Sequence, residues 1–283
     1  MTVPNDLPQP IVDEAVKAAL LEDLGRAGDI TSQACLPDGA SAEAVIRSRK
    51  AGVLAGLPHA ESAFRQIGGG LRFSTILRDG DPLEPGSVVA EIEGPALALL
   101  SAERVALNFL THLSGIASAT ATYAGAIAHT KAKVTCTRKT LPGLRAFQKY
   151  AVRKGGGSNH RFGLDDAILI KDNHIAVCGG VVEAVAAAKE FAGHLVAIEI
   201  EVDTLDQFRA LLALQDQERP DVILLDNMSR SALIEAVALH EAAGGQPVVL
   251  EASGGITLET IASVAETGVD YISSGWLTSS APS

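Results

Sequence analysis

Apolar and polar positions follow two different rhythms in the two halves of the chain. Near the start, Ile11, Val12, Ala15, Leu20, Leu21 and Leu24 recur at helical spacing and predict an amphipathic helix over 11–24. After Gly25 the pattern shortens to strand-like segments at 43–48, 52–55, 71–77 and 87–93, with a helix expected around 58–67. Asp79-Gly80-Asp81-Pro82 and Pro85-Gly86 read as turns between them. A long helix is expected from Ser101, taken as its N-cap, to about Ala128, interrupted at Ser114-Gly115 because glycine weakens a helix interior.

From Lys133 onward the rhythm becomes regular. Short apolar runs at 133–137, 167–171, 195–202, 221–226, 247–252 and 269–273 alternate with helical patterns at 181–191, 205–213, 231–242 and 258–266. Repeated β-α units of this size predict a parallel sheet, either open or closed into a barrel. The ends of these strands are polar: Lys139 lies just past the first, and Lys171, Glu201, Asp226, Glu251-Ala252-Ser253 and Ser274-Gly275 mark the others in turn. Both α/β topologies bind ligands at the C-terminal ends of their strands, so these residues are expected to converge. Within Ile198-Glu199-Ile200-Glu201-Val202 the two glutamates must share one face, since side chains alternate along a strand. Two carboxylates on a buried face are costly unless paired or metal-bound, which favours a functional reading over an exposed edge.

Charge sharpens this picture. The 283 residues carry 23 Lys and Arg against 34 Asp and Glu, a formal net charge of -11. Yet 131–174 holds ten cations (Lys131, Lys133, Arg138, Lys139, Arg145, Lys149, Arg153, Lys154, Arg161, Lys171) and three Asp. A local positive field in an acidic protein suggests a small, strongly anionic ligand in a cleft. A sequence pI near 5.1 argues against nucleic acid as a partner, and no run of about 18 apolar residues predicts a membrane span. Met1 to Pro10 lacks the basic start and apolar core of a signal peptide, and Cys35, Cys136 and Cys178 form no disulfide pattern, so a cytoplasmic protein with reduced thiols is expected. Cations near Cys136 leave a reactive thiol open beside the commoner reading of a small core residue. Ser253-Gly254-Gly255 ahead of a helix start suits a phosphate, though many βα loops contain glycine. His160, beside Arg161, suits a carboxylate better than zinc, and His174 suits orienting a neighbour. His59, His112, His129, His194 and His240 read as surface or satisfied structural residues.

Several ordered motifs carry a resemblance. Thr137-Arg138-Lys139-Thr140, Pro142-Gly143-Leu144-Arg145, Gly155-Gly156-Gly157, Asn159-His160-Arg161 and Ile170-Lys171-Asp172-Asn173-His174, with Glu103-Arg104 before them and 199–203, 224–227 and 251–256 after, resemble the quinolinate phosphoribosyltransferase family over nearly the whole chain. The resemblance implies a pentosyltransferase of NAD biosynthesis that joins quinolinate to phosphoribosyl pyrophosphate with loss of CO₂, using Mg²⁺ and no organic cofactor. It implies an N-terminal α/β sandwich domain with a linking helix over 1–112 and an incomplete TIM-like α/β barrel over 113–275, with 276–283 packing back on the first. It implies a homodimer or higher homo-oligomer in which Arg104 reaches the neighbour's site. Arg138, His160, Arg161 and Lys171 would then hold quinolinate with Arg104. Lys139 would bridge to pyrophosphate, Glu201 and Asp226 would face the ribose and Mg²⁺, and Ser253, Gly254, Gly255 and Gly275 would cradle the 5′-phosphate. Lys139, Lys171, Glu201 and Asp226 are the expected catalytic set. Cys136, Trp276 and Ser279 depart from the family pattern.

Overall fold

A computed structural model describes residues 7–282; the N-terminal reading of Met1 to Pro10 lies mostly outside them. The chain divides into two compact units. The first runs to Ala121 and takes in Pro142–Gly156 and the last few residues; the second comprises Thr122–Leu141 and Gly157–Ser279.

In the first unit, helices α1 (Gln9–Leu24) and α2 (Ile30–Cys35) precede strands β1 (Ser41–Arg47) and β2 (Gly52–Val53). Helix α3 (Leu57–Ile67), strands β3 (Arg72–Thr75), β4 (Pro82–Leu83) and β5 (Val88–Pro95), and the long helix α4 (Ala96–Ala126), whose end from Thr122 belongs to the second unit, follow. β1, β5 and β3 form an antiparallel sheet in that order, and β2 pairs with β4. Helix α5 (Arg145–Lys154) belongs to the same unit.

Three sequence expectations change here. α4 starts at Ala96, five residues before Ser101, whose hydroxyl donates to the Leu97 carbonyl from inside the helix. α4 also runs unbroken through Ser114-Gly115. Ser114 and Ser118 lie on its inner face and accept the backbone N–H groups of Ala55 and Val53, so they tie a neighbouring segment down rather than end the helix. Second, α5 was hidden inside the basic window. It buries Phe147, Gln148, Tyr150, Ala151 and Val152, and the residue after it, Gly155, approaches α4 so closely that a Cβ would stand 2.2 Å from the Ala117 carbonyl oxygen. Third, His59 is neither at the surface nor satisfied. It is fully buried, stacked on Phe109 and edge-on to Phe147, with no hydrogen-bond partner for either ring nitrogen among the described residues. Burial lowers its pKa to about 4, so the ring is neutral. Asp79 is more than a turn residue: it accepts the N–H groups of Gly56 and Leu57 at the start of α3 and the hydroxyl of Tyr150 at 2.7 Å.

The second unit is β-α repeats. β6 (Lys133–Thr135), β7 (Ile168–Ile170), α6 (Asp172–Cys178), α7 (Val181–Phe191), β8 (Ile198–Val202), α8 (Leu205–Leu212), β9 (Val222–Asp226), α9 (Arg230–Ala243), β10 (Val249–Ser253), α10 (Ile261–Ala265), β11 (Tyr271–Ser273) and α11 (Trp276–Ser279) follow one another. Six parallel strands lie in the order β6-β11-β10-β9-β8-β7. Apart from β6, each strand sits beside its sequence neighbour, and β6 joins at the far end against β11. That is the cyclic order of an α/β barrel left open between β6 and β7.

The register makes the two faces of this sheet explicit. Pairs such as Ile170↔Ile200↔Ile223↔Leu250 stand level across β7 to β10, and Ala252↔Ile272↔Val134 continue the set across β10, β11 and β6. All are buried in one apolar cluster with side chains from the helices, including Val185, Phe208, Leu211, Leu233, Ala236 and Ile261. Each fully buried Ile or Leu there stabilises the fold by about 1.5–3 kcal/mol. The polar residues at the alternate positions, which must point the other way, are Thr135, Glu199, Glu201, Asp226, Glu251, Ser253 and Ser273, with Lys171 next in phase after β7; Leu169, Leu224 and Val249 share that phase.

Candidate active site

The polar face is the site, and its layers follow from the rise of about 3.3 Å per strand residue. Glu201, at the C-terminal end of β8, receives the ammonium of Lys171 at 2.6 Å. Lys171 caps α6: its backbone N–H donates to His174 Nδ1 at 2.9 Å, so the Lys171-Asp172-Asn173-His174 motif closes on itself and fixes where the lysine starts. Asp226 ends β9. Burial, then the neighbouring carboxylates Glu201 and Asp203, raise its pKa, while Asn227 Nδ2 donates to it at 2.6 Å. Excess negative charge of this kind suits a cation.

Two residues further down β8, Glu199 is buried. His160 Nε2 lies 2.7 Å from Glu199 Oε2 and 3.9 Å from Glu251 Oε1 of β10. Burial and the charge of Glu199 push the Glu251 carboxyl up to about 7. Arg161 stands near both Glu199 and Arg138; burial and the like charge of Arg138 lower its pKa. Its Nη1 donates to the Ala167 carbonyl, but the buried Nε atoms of Arg138 and Arg161 have no partner among the described residues. Two crowded guanidiniums with unused donors are prepared for an anion with planar oxygen pairs.

Lys139 follows β6. Thr278 anchors its carbonyl at 2.7 Å, and its side chain lies against Gly275, where a Cβ would stand 2.7 Å from Lys139 Cδ. A side chain at 275 would displace the Lys139 side chain. After β10, Gly254 adopts φ +94° and faces Asn227, itself in the left-handed region at φ 51°; a Cβ at 254 would come within 2.1 Å of Asn227 Oδ1. The following helix starts at Ile261, three residues later than the sequence pattern suggested, because Thr257 and Thr260 form a turn first. Trp276 stacks on Tyr123, ring centroids 5.7 Å apart, next to Gly275. Cys136 is buried with its Sγ 3.3 Å from Asn159 Oδ1, a packed position. Arg104 is exposed on α4 in the first unit.

The structure thus links Arg138, Arg161, His160, Lys171, Glu201 and Asp226 through one face and the loops at its end. The basic window divides: Arg145, Lys149, Arg153 and Lys154 lie on α5 in the first unit. Glu251, read from the sequence as a strand-end residue, stands on the polar face as expected, but its closeness to His160 was not foreseen. Its signal was the alternation Val249-Leu250-Glu251-Ala252-Ser253, which puts it in phase with Ser253 rather than with the apolar face.

An open parallel barrel with clustered cations facing carboxylates at its strand ends defines a transferase-type enzyme for multiply charged anionic substrates. The chain belongs to the quinolinate phosphoribosyltransferase family. Residues 116–283 match the quinolinate phosphoribosyl transferase C-terminal domain, and 29–114 its N-terminal domain. A probable nicotinate-nucleotide pyrophosphorylase (carboxylating) of Bacillus subtilis is 45% identical over 263 residues, covering 93% of this chain and 88% of the relative. The nicotinate-nucleotide pyrophosphorylase (carboxylating) of Mycobacterium leprae is also 45% identical, over 94% of this chain and 93% of the relative. The structure of the nicotinate-nucleotide pyrophosphorylase from Francisella tularensis superposes with a TM-score of 0.90 at 37% identity, covering 97% and 94% of the two chains.

Proposed function

We propose that this protein transfers the phosphoribosyl group of phosphoribosyl pyrophosphate to quinolinate with decarboxylation, giving nicotinate mononucleotide, pyrophosphate and CO₂ for NAD biosynthesis. The observation that carries this reading is the polar sheet face, where Arg138, Arg161 and Lys171 stand with Glu201 and Asp226 at the strand ends. Quinolinate is a dianion, and arginine forks suit its two carboxylates, helped by His160 and by Arg104 of a partner protomer. Leu97, Leu100 and Arg104 are exposed on one stripe of α4, which supports assembly as a homodimer through that helix. The exposed, unpaired Cys35 and Cys178 are consistent with a cytoplasmic setting. Among the described residues, no helix is long and apolar enough to cross a membrane.

In the reaction, the pyridine nitrogen displaces pyrophosphate from the ribose through an oxocarbenium-like transition state. Glu201 and Asp226 stabilise the positive charge developing on the ribose. Lys139 holds the junction of pyridine and pyrophosphate, with Lys171 released from Glu201 as anions enter. Ser253, Gly254, Gly255 and Gly275 receive the 5′-phosphate; the glycine backbones allow close approach. Glu201 and Asp226 would hold Mg²⁺, which prefers carboxylate, phosphate and water oxygens and would neutralise charge on the leaving group. Once the nitrogen is ribosylated, the bond from C2 to its carboxylate breaks, the electron pair stays on C2 beside the positive ring nitrogen, and a proton from water takes the place of the departing CO₂. Incubating the protein with quinolinate, phosphoribosyl pyrophosphate and Mg²⁺ tests this reading. Stoichiometric CO₂ and nicotinate mononucleotide are expected; unconsumed quinolinate overturns it.

A further inference from the structure

Beneath the strand-end residues, the buried group of His160, Glu199 and Glu251 has no part in the chemistry above beyond the imidazole. One ring nitrogen and two carboxylate oxygens lie within 4.8 Å of one another, which raises a metal as the first possibility. The distances argue otherwise. Ligand atoms at about 2.0–2.2 Å from a tetrahedral ion stand roughly 3.3 Å or more apart, whereas His160 Nε2 and Glu199 Oε2 are 2.7 Å apart, the length of a charge-assisted N–H···O bond. The positive neighbour of Glu199 is already present as Arg161.

We propose that Glu199 is a positioning residue for His160: it accepts the Nε2–H and fixes the ring, so that the imidazole is held in place to meet a substrate carboxylate. Glu199, at hydrogen-bond distance, is the acceptor that holds the ring. Its burial makes this orientation rigid, because a second ring position would leave a charge unpaired in the interior.

The inference rests on the quinolinate reading, and the test separates the two. Wild-type turnover is measured first; a wild type that consumes no quinolinate sinks that reading and leaves the His160–Glu199 contact to be judged by spectroscopy alone. With an active wild type, Glu199→Gln is expected to raise KM for quinolinate about 10- to 100-fold, the worth of one charged hydrogen bond, with KM for phosphoribosyl pyrophosphate within about twofold. In a His160→Ala background the same change should add less than about threefold, since the residue acts through the ring. Glu199→Asp should recover part of the loss. An unchanged KM for quinolinate in Glu199→Gln, or a full effect retained without His160, overturns the proposal. If the glutamate variants do not fold, ¹⁵N-histidine NMR of the wild type, with His160→Asn assigning the signal, reads the contact directly. A protonated, strongly hydrogen-bonded Nε2 is expected; an unprotonated or metal-bound Nε2 overturns it.

Discussion

The six parallel strands of the second unit present two faces that differ by a single residue of phase. Ile200 and Glu201 are adjacent, yet one is fully buried among helices and the other meets a lysine at the strand end. The apolar face holds the fold together and could be exchanged for other apolar side chains of similar volume. The polar face costs stability, because Glu199 and Glu251 are carboxylates held away from water. Stability and chemistry are thus assigned to alternate residues of the same strands, and changes on one face should leave the other's property nearly intact.

The largest expected effect is on the polar face. Arg138→Ala should lower kcat/KM with quinolinate by on the order of 10³-fold, as for loss of one member of a buried charged contact, while the urea midpoint stays near wild type; retained quinolinate affinity would break the carboxylate-clamp assignment. On the apolar face, Ile200→Ala should lower the unfolding free energy by about 2–5 kcal/mol, with kcat/KM per folded molecule within about twofold. A comparable activity loss in both variants would erase the division between faces.

Glu251→Gln sharpens the comparison through pH. The folded carboxyl titrates near 7, above its ordinary 4.5, so folding favours the protonated form. Its contribution is fully present below about pH 4.5 and is lost as pH rises through 7. Wild type should therefore lose stability relative to Glu251→Gln across that window, by up to about 3 kcal/mol. Parallel urea midpoints for the two proteins from pH 4.5 to 8 would show that Glu251 carries no such burden. The smallest effect is at the loop: Gly254→Ala forces an L-residue into φ +94° against Asn227 and should cost about 1–2 kcal/mol, with KM for phosphoribosyl pyrophosphate raised and KM for quinolinate unchanged. An equal rise in both would detach this loop from the phosphate.

Much of the second unit was legible because a parallel sheet imposes period two and because its strand ends are polar. The alternation of Ile198-Glu199-Ile200-Glu201 announced both faces at once. The first unit was harder. α5 carries four of the ten cations of the basic window, so its charge masked its helical burial of Phe147 and Tyr150. The continuity of α4 was hidden by Ser114-Gly115, whose serine is used for a tertiary hydrogen bond that no local propensity expresses. The neutral, unpartnered state of His59 depends on two phenylalanines distant in sequence, so nothing around residue 59 could announce it. The link from Glu199 to His160 joins residues 39 positions apart, a contact set by register rather than by motif.

The Trp276–Tyr123 stack gives the molecule a built-in optical reporter. The chain contains a single tryptophan, and it directly follows Gly275, where the 5′-phosphate is expected, while keeping about 40% of its surface exposed. Its indole emission therefore comes from one known place, with Tyr123 as a fixed energy donor 5.7 Å away. Titration with phosphoribosyl pyrophosphate should shift that emission, quinolinate alone should shift it less, and iodide quenching should weaken once the phosphate is bound, so occupancy of one half of the site can be followed in the unlabelled protein.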